Sequence, residues 1–172
     1  MTYQRAMTPL TPGSLLCLDC GICCRGILFD NAALAQEYGL DGGWSGGAES
    51  GPLLPLACPL HRGGRCAVYD HRERPPSCPE YRCELLNKLD AGEICLDEGR
   101  LIVDKVKMSL SKFIERLPSG GKPKPAYYLA IDTLSAAQEK LAAGDRSDFE
   151  LLTDILLFRR LLCEYFIPIE DQ

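Results

Sequence analysis

The sequence predicts a mostly α-helical fold in which a small, irregular, cysteine-rich region packs on a C-terminal bundle of about three helices. Two observations support this prediction. Eight of the ten cysteines fall before residue 84, in a part of the chain where glycine- and proline-rich stretches predict loops. Beyond it, apolar residues recur at the spacing of three or four that is typical of amphipathic helices. The 172 residues suit one compact domain, divided into a cysteine-rich region at 14–84 and a helical region at 85–172.

The cysteine-rich region is predicted to contain little regular structure. One short helix is predicted over 32–38, because Asp30 can cap it and Gly39 can end it. The stretch from Gly42 to Pro55 predicts an irregular loop. So few apolar runs would hardly offset a backbone entropy cost of about 1–2 kcal/mol per residue. A further source of stability is therefore expected in this region, and bound metal is the natural one.

The helical region is predicted to form three helices separated by breakers. The first ends at a Pro- and Gly-rich stretch over 118–125, and the second runs from Ala126 to Ala143. The third is predicted to begin at a capping box formed by Ser147 and Glu150 and to end at Pro168. The apolar residues that define the first helix are Ile102, Val106, Leu110, Phe113 and Leu117.

Four cysteines lie within eight residues, in the stretch CLDCGICC at 17–24. The first C-x2-C pair is predicted to lie on a tight turn that Gly21 closes with a positive φ, which suits zinc and iron alike. The longer run C-x2-C-x2-C is the loop with which bacterial ferredoxins supply three cluster thiolates, with a remote fourth cysteine before a proline. Cys58 and Cys78 each precede a proline. Adjacent Cys23 and Cys24 point in different directions, so Cys24 belongs to a second site or is a reactive exception.

Metal binding explains this pattern better than a set of buried free thiols does. The favoured cofactor is a [4Fe–4S] cluster, and zinc is the alternative, because all-thiolate sites accept both. His61 and His71 are left out of the ligand set, since eight thiols already satisfy two four-coordinate sites. Cys95 and Cys163 are predicted to be small core residues. The predicted ligands are Cys17, Cys20, Cys23, Cys24, Cys58, Cys66, Cys78 and Cys83.

Arginines are frequent near these cysteines. The guanidinium group keeps its positive charge, and it can favour the thiolate form by donating hydrogen bonds to sulfur or to neighbouring carboxylates. An ordinary solvated face is the alternative interpretation, and the sequence does not separate the two. The arginines are Arg25, Arg62, Arg65, Arg72, Arg74 and Arg82.

The combined pattern resembles the YkgJ-like cysteine-cluster family, described as a zinc- or iron-chelating domain. The similar residues are Cys17-x2-Cys20-Gly21-x-Cys23-Cys24-Arg25, Cys58-Pro59-Leu60, Gly64-Arg-Cys66-Ala-Val-Tyr69-Asp70, an Arg-Pro pair and Cys78-x2-Tyr81. The resemblance covers about residues 14–84 and implies metal binding through the eight cysteines. In longer relatives, the flagellin lysine-N-methylases, the cysteine cluster is associated with an iron–sulfur centre and methyl groups come from S-adenosylmethionine. This chain is much shorter and shows no glycine-rich strand-to-helix turn for that cofactor.

Three classes of function follow from the sequence. The favoured one is a redox or structural accessory module, and the alternatives are a protein-modifying enzyme or enzyme partner related to the lysine N-methylases, and a metal chelator or store. The expected partner or substrate is a protein. A net charge of −5 argues against nucleic acid. No apolar run approaches the roughly 18 residues of a membrane span, so we expect no membrane and a cytoplasmic location, where thiols stay reduced.

Overall fold

The computed structural model describes residues 10–29, 31–33, 53–55, 57–70, 74–117 and 124–167. Within these ranges the fold is mostly helical, as predicted, with two short two-stranded antiparallel sheets. None of these helices combines the length and the apolar character needed to cross a bilayer. The elements are α1 Pro12–Cys20, β1 Asn31–Ala33, β2 Leu53–Pro55, β3 His61–Arg62, β4 Arg65–Cys66, α2 Ser77–Glu80, α3 Glu84–Asp90, α4 Leu96–Glu115, α5 Ala126–Ala142 and α6 Phe149–Tyr165.

Helix α1 places the first two cysteines on regular structure. Thr11 caps the helix, because its hydroxyl oxygen accepts a hydrogen bond from the Ser14 amide at 3.1 Å, and a proline occupies the first helical position. Gly21 ends the helix with φ +67°, as predicted. The expectation of a tight turn around the first C-x2-C pair was wrong, because both Cys17 and Cys20 belong to the last turn of this helix.

The prediction of a short helix over 32–38 was wrong at the residues that the structure describes. Residues 31–33 form strand β1, which pairs with β2 so that Ala32 lies opposite Leu54. The partner strand supplies hydrogen bonds to the backbone, and this tertiary pairing outweighs the local helix propensity of alanine. The rest of that helix, and residues 42–52 of the predicted loop, lie outside the described residues. The loop prediction was wrong at residues 53–55, which form strand β2.

The helical core is built from α4, α5 and α6, of which α6 contacts both others. Phe113 of α4 and Phe158 of α6 are fully buried, and their rings stack with centroids 5.7 Å apart. Helix α1 also packs on α4. At that contact a Cβ added to Gly99 would lie 2.8 Å from Cδ2 of the buried Leu16, so the two helices approach closely through a residue without a side chain.

The three predicted helices are present as α4, α5 and α6, but the predicted capping box was wrong. The Ser147 amide donates to Asp145 Oδ1 at 2.8 Å, and α6 begins at Phe149 with Asp148 in the cap position. Because Asp148 Oδ2 accepts from Lys140 Nζ at 2.8 Å, the turn between α5 and α6 is held by two acidic side chains. A capping box is found instead at the start of α4, where the Cys95 amide donates to Glu98 Oε2.

Candidate metal centre

One cavity of about 360 Å³ collects the cysteines of the N-terminal region. Its walls come from α1, from the turn that follows it, from the β3–β4 hairpin and from the segment carrying α2 and α3. Neither Cys95 nor Cys163 lines it. None of the cysteines that line it is in a disulfide. Those cysteines are Cys17, Cys20, Cys23, Cys24, Cys58, Cys66, Cys78 and Cys83, which is the whole predicted ligand set.

The first four thiols are placed by the end of α1 and the turn after it. Residues three apart lie on one face of a helix, so Cys17 and Cys20 both face the cavity. The turn that follows is closed by two backbone hydrogen bonds of 3.0 Å, from the Arg25 amide to the Gly21 carbonyl and from the Gly26 amide to the Cys23 carbonyl. The chain therefore returns on itself immediately after the helix and brings Cys23 back to the cavity.

The other thiols reach the cavity through backbone pairing and a helix start. The Cys58 amide donates to the Cys24 carbonyl at 2.7 Å, and the Cys58 carbonyl accepts from the His61 amide at 3.0 Å. His61 pairs across the hairpin with Cys66. Cys78 lies in α2. Cys83 is the N-cap residue of α3, a helix that packs against α1.

Burial dominates the electrostatics of these thiols. Loss of water raises the pKa of Cys20 to about 12 and that of Cys83 to about 11. The same cause raises the pKa of Cys24 to about 12 and that of Cys78 to about 11, and it holds the pKa of Cys23 well above its ordinary value. Neighbouring thiols add to each shift, because a second negative charge in the cavity is unfavourable. Without a compensating cation, these thiols stay protonated at neutral pH.

Backbone amides act in the opposite direction at three of the thiols. An N–H group donates to Cys20 from Ile22, and two donate to Cys58 from Leu60 and His61. At Cys83 the donors include the amides of Leu85 and Leu86, in the first turn of α3. Each of these hydrogen bonds lowers the pKa of the thiol that accepts it. Such N–H···S bonds are the means by which proteins stabilise metal-bound thiolates.

Among the arginines that the structure describes, Arg74 meets the predicted role of acting on the thiols themselves. Its guanidinium lowers the pKa of Cys17 and of Cys78, although burial keeps both raised. It lies 4.0 Å from the centroid of the Tyr69 ring and donates to the Tyr69 carbonyl at 3.4 Å and to the Cys78 carbonyl at 3.5 Å. The Tyr69 hydroxyl in turn lowers the pKa of Cys17. Arg74 therefore brings a positive charge to the cavity wall and is held there by its own contacts.

Other arginines of the region contact oxygen atoms. Asp19, between the two cysteines of α1, binds Arg65 at 3.3 Å and Arg100 of α4 at 3.1 Å. Arg100 joins α1 to the helical region, a role that no local pattern indicates. Arg72 and His71 lie outside the described residues. Two further contacts are Arg62 Nε to the Pro59 carbonyl at 3.1 Å and the ion pair of Arg82 with Asp90.

His61 lines the same cavity, although the sequence argued against it as a ligand. Its Nε2 atom is buried and has no hydrogen-bond partner among the described residues. The ring lies over Gly21, since a Cβ added there would be 2.8 Å from Nε2. Buried polar atoms are almost always hydrogen-bonded. The unpaired nitrogen beside the thiols is consistent with a site that a group from outside the polypeptide completes.

The donor set fits a metal, although the side chains are not arranged around one. Within the described ranges, no group of three or more His, Cys, Asp or Glu side chains forms a ready coordination site. The donors are nevertheless all soft sulfurs, which favour zinc, iron–sulfur clusters and Cu(I). A bound cation would supply the positive charge that thiolates need, so metal binding would be coupled to loss of the thiol protons. Coordination would draw the sulfurs closer together than they lie here.

Aromatic residues that are not part of the predicted ligand set close one side of the cavity. Phe29 and Tyr81 contact each other edge-to-face with centroids 4.9 Å apart, and Phe166 follows α6. The Tyr81 hydroxyl donates to the Phe166 carbonyl. Tyr81 belongs to the pattern that carries the resemblance, so a signal for it existed. No sequence signal connects Phe166 with the cysteines.

The two remaining cysteines differ from their predicted role in different degrees. Cys95 was predicted to be a core residue, and this was wrong because it is exposed at the N-cap of α4. There its amide donates to Glu98 Oε2 at 2.7 Å, so the residue serves the helix start. Cys163 is half-buried on α6.

Comparisons with protein-family models, with curated proteins and with solved structures find no match to this chain in any of the three.

Proposed function

We propose that this protein binds metal through the eight cysteines of the cavity and acts in the cytoplasm as a redox or structural accessory module for a protein partner. One observation carries the proposal. The eight cysteines from Cys17 to Cys83 come from separate helices, turns and a hairpin, yet all line one cavity. The two cysteines outside the sequence pattern stay away from it. Packing of small apolar side chains would not separate the cysteines in this way.

A [4Fe–4S] cluster is the favoured cofactor. The C-x2-C-x2-C run is the arrangement that supplies three cluster thiolates in ferredoxins, and the amide donors at Cys20 and Cys83 are of the kind that tunes cluster potential. When bound, such a cluster would supply one-electron chemistry, whereas zinc would supply structural stability alone. The resemblance to the YkgJ-like family is consistent with either metal and stays a prediction.

The chain's own residues would support a charged metal site in three ways. The amides at Cys20, Cys58 and Cys83 stabilise thiolate charge. Arg74 adds a positive charge beside Cys17 and Cys78. The aromatic residues around Tyr81 limit the access of water, which strengthens both effects because charges interact more strongly in a low dielectric. A binding role needs no further catalytic group.

Metal analysis of the anaerobically purified protein tests the proposal. We expect a brown protein with a broad visible absorption band and about four irons and four sulfides per cluster, as a [4Fe–4S] centre requires. A colourless protein with bound zinc would keep the metal site and overturn the favoured cofactor. A folded protein without metal, which also fails to take up iron or zinc after reduction, would overturn the proposal.

A matched pair of variants separates the site from general effects of cysteine removal. Cys20→Ser removes a thiol that lines the cavity, and we expect it to lower the metal content. Cys95→Ser removes an exposed thiol at a helix N-cap, where serine is well tolerated, and should leave the metal content unchanged. Equal metal loss in both variants would contradict the assignment of the site.

A further inference from the structure

We infer that the eight thiols form two adjacent four-thiolate sites and not one common cage. This inference rests on the proposed function. The first thiol set is Cys17, Cys20, Cys23 and Cys83, and the second thiol set is Cys24, Cys58, Cys66 and Cys78. The division runs between the neighbouring residues Cys23 and Cys24, so the run CLDCGICC contributes to both sites.

Backbone pairing groups the second thiol set. The hydrogen bond from the Cys58 amide to the Cys24 carbonyl, at 2.7 Å, brings these two residues together directly. The Cys58 carbonyl then accepts from His61, whose partner across the hairpin is Cys66. Three members of the set are thus connected by main-chain contacts alone. Cys78 joins them from α2, where the Arg74 guanidinium holds its carbonyl at 3.5 Å.

Helix packing groups the first thiol set. Cys20 ends α1, Cys83 begins α3, and these two helices are in contact. Both thiols also accept backbone amides from the residues just beyond them. Cys23 returns to the same place through the turn that Gly26 closes. These three are accordingly on the α1–α3 side of the cavity, and Cys58 and Cys66 are on the hairpin side.

Cys17 lies at the boundary between the two sets. It lies one turn before Cys20 on the same face of α1, and it also lines a smaller pocket with Tyr69, Arg74 and Cys78. The shared helix and the C-x2-C-x2-C run assign it to the first set. Four thiolates complete a tetrahedral ion or a cluster, so Cys78, the remaining thiol, completes the second set. The fourth ligand to the C-x2-C-x2-C run is then Cys83. It is not Cys58 or Cys78, the two cysteines that precede a proline as the fourth cysteine of ferredoxins does.

Cadmium is a suitable probe, because it takes all-thiolate sites and each distinct site gives its own ¹¹³Cd resonance. We expect two equivalents of Cd²⁺ per chain and two resonances for the reduced wild-type protein. Cys20→Ser, Cys83→Ser and Cys17→Ser should remove or shift the same resonance. Cys58→Ser and Cys66→Ser should change the other one, and Cys95→Ser should change neither.

The outcomes distinguish failure of the division from failure of the proposed function. A wild-type protein that takes up no Cd²⁺ would overturn both. Binding of Cd²⁺ with a single resonance, or with Cys20→Ser and Cys58→Ser acting on the same one, would overturn the division alone. A variant can lose both ions because it unfolds, which far-UV circular dichroism would reveal. In that case the test uses wild-type protein that is loaded with one equivalent of Cd²⁺, and its unprotected thiols are then alkylated. In each singly loaded molecule, as top-down mass spectrometry reads it, the protected thiols must then come from one set, and single molecules whose protected thiols mix the two sets would overturn the inference.

Discussion

Replacing Gly21 by alanine tests how the end of α1 is fitted to the cavity. Gly21 has φ +67°, a conformation that costs an L-residue about 1–2 kcal/mol. The new Cβ would also lie 2.8 Å from His61 Nε2 and 3.1 Å from its Cε1, so the ring must move. Overpacking of this kind costs about 1–3 kcal/mol. We expect the free energy of unfolding to fall by about 2–5 kcal/mol from these two effects.

Two controls separate the conformational cost from the contact. Gly92 follows α3 with φ +72°, and nothing lies within 4 Å of a Cβ added there. Gly92→Ala should therefore lose only about 1–2 kcal/mol. In a His61→Ala background the ring is absent, so Gly21→Ala should cost no more than Gly92→Ala does. The coupling energy between Gly21→Ala and His61→Ala is then about 1–3 kcal/mol.

The assay is guanidinium unfolding followed by far-UV circular dichroism, with the compared proteins brought to the same metal content. Equal metal content matters because any ion that binds only the folded chain adds to the measured stability. If Gly21→Ala destabilised the protein no more than Gly92→Ala, the contact with His61 would not constrain the chain at the end of α1. If the cost stayed the same without the imidazole, the reasoning from the 2.8 Å approach would be refuted.

Three further predictions address the core, the thiols and the exposed cysteine. Phe158→Ala should reduce stability by about 3–5 kcal/mol, as large aromatic truncations in a core do, whereas Leu156→Ala, at a side chain 52% exposed, should change it by less than about 0.5 kcal/mol; similar losses in denaturant titrations would contradict the packing. Because burial raises the folded-state pKa of thiols such as Cys20, their contribution to the stability of metal-free protein is full below about pH 9 and should be lost as the pH rises toward about 12; a melting temperature unchanged over that window would contradict the burial of these thiols. Cys95 should react first with iodoacetamide, because it is the one exposed cysteine of the ten, and mass spectrometry should show that Cys95→Ser removes this fast phase; faster labelling of any cavity thiol would contradict it.

The elements that the sequence predicted well are those whose signals are local. Helices α4, α5 and α6 follow from apolar periodicity and from breakers between them. The positive φ of Gly21 was predicted from glycine after a C-x2-C pair, although that glycine ends a helix and not the tight turn that was expected. The failures needed information from distant residues. Strand β1 forms because β2 lies beside it, and the cap of α6 depends on Lys140, which holds Asp148 from the preceding helix.

The candidate site shows the same limit. Cysteine spacing indicated which residues belong together as a group, because C-x2-C-x2-C restricts where three sulfurs can point. It could not indicate that Cys83 lies beside Cys20, since that proximity is set by the packing of α3 on α1. It also could not single out Arg74 among the arginines, because its position depends on the Tyr69 ring and on the carbonyl of Cys78. The residue types therefore predict which atoms can bind a metal, and helix packing determines which of the thiols lie together.

The contacts at the cavity wall tie the thiols to the helical core. The Tyr127 amide at the start of α5 donates to the Ile27 carbonyl at 2.9 Å, just after the cysteine run. Phe166, after α6, lines the cavity and accepts the hydrogen bond from Tyr81. Without a bound cation, burial makes ionisation of thiols such as Cys20 and Cys83 unfavourable, whereas a metal bound at the proposed site would draw the cavity walls together. Because those walls include residues next to α5 and α6, the free energy of metal binding at the proposed site would be shared with the helices, and loss of the metal should then loosen them as well as the cysteine-rich segment.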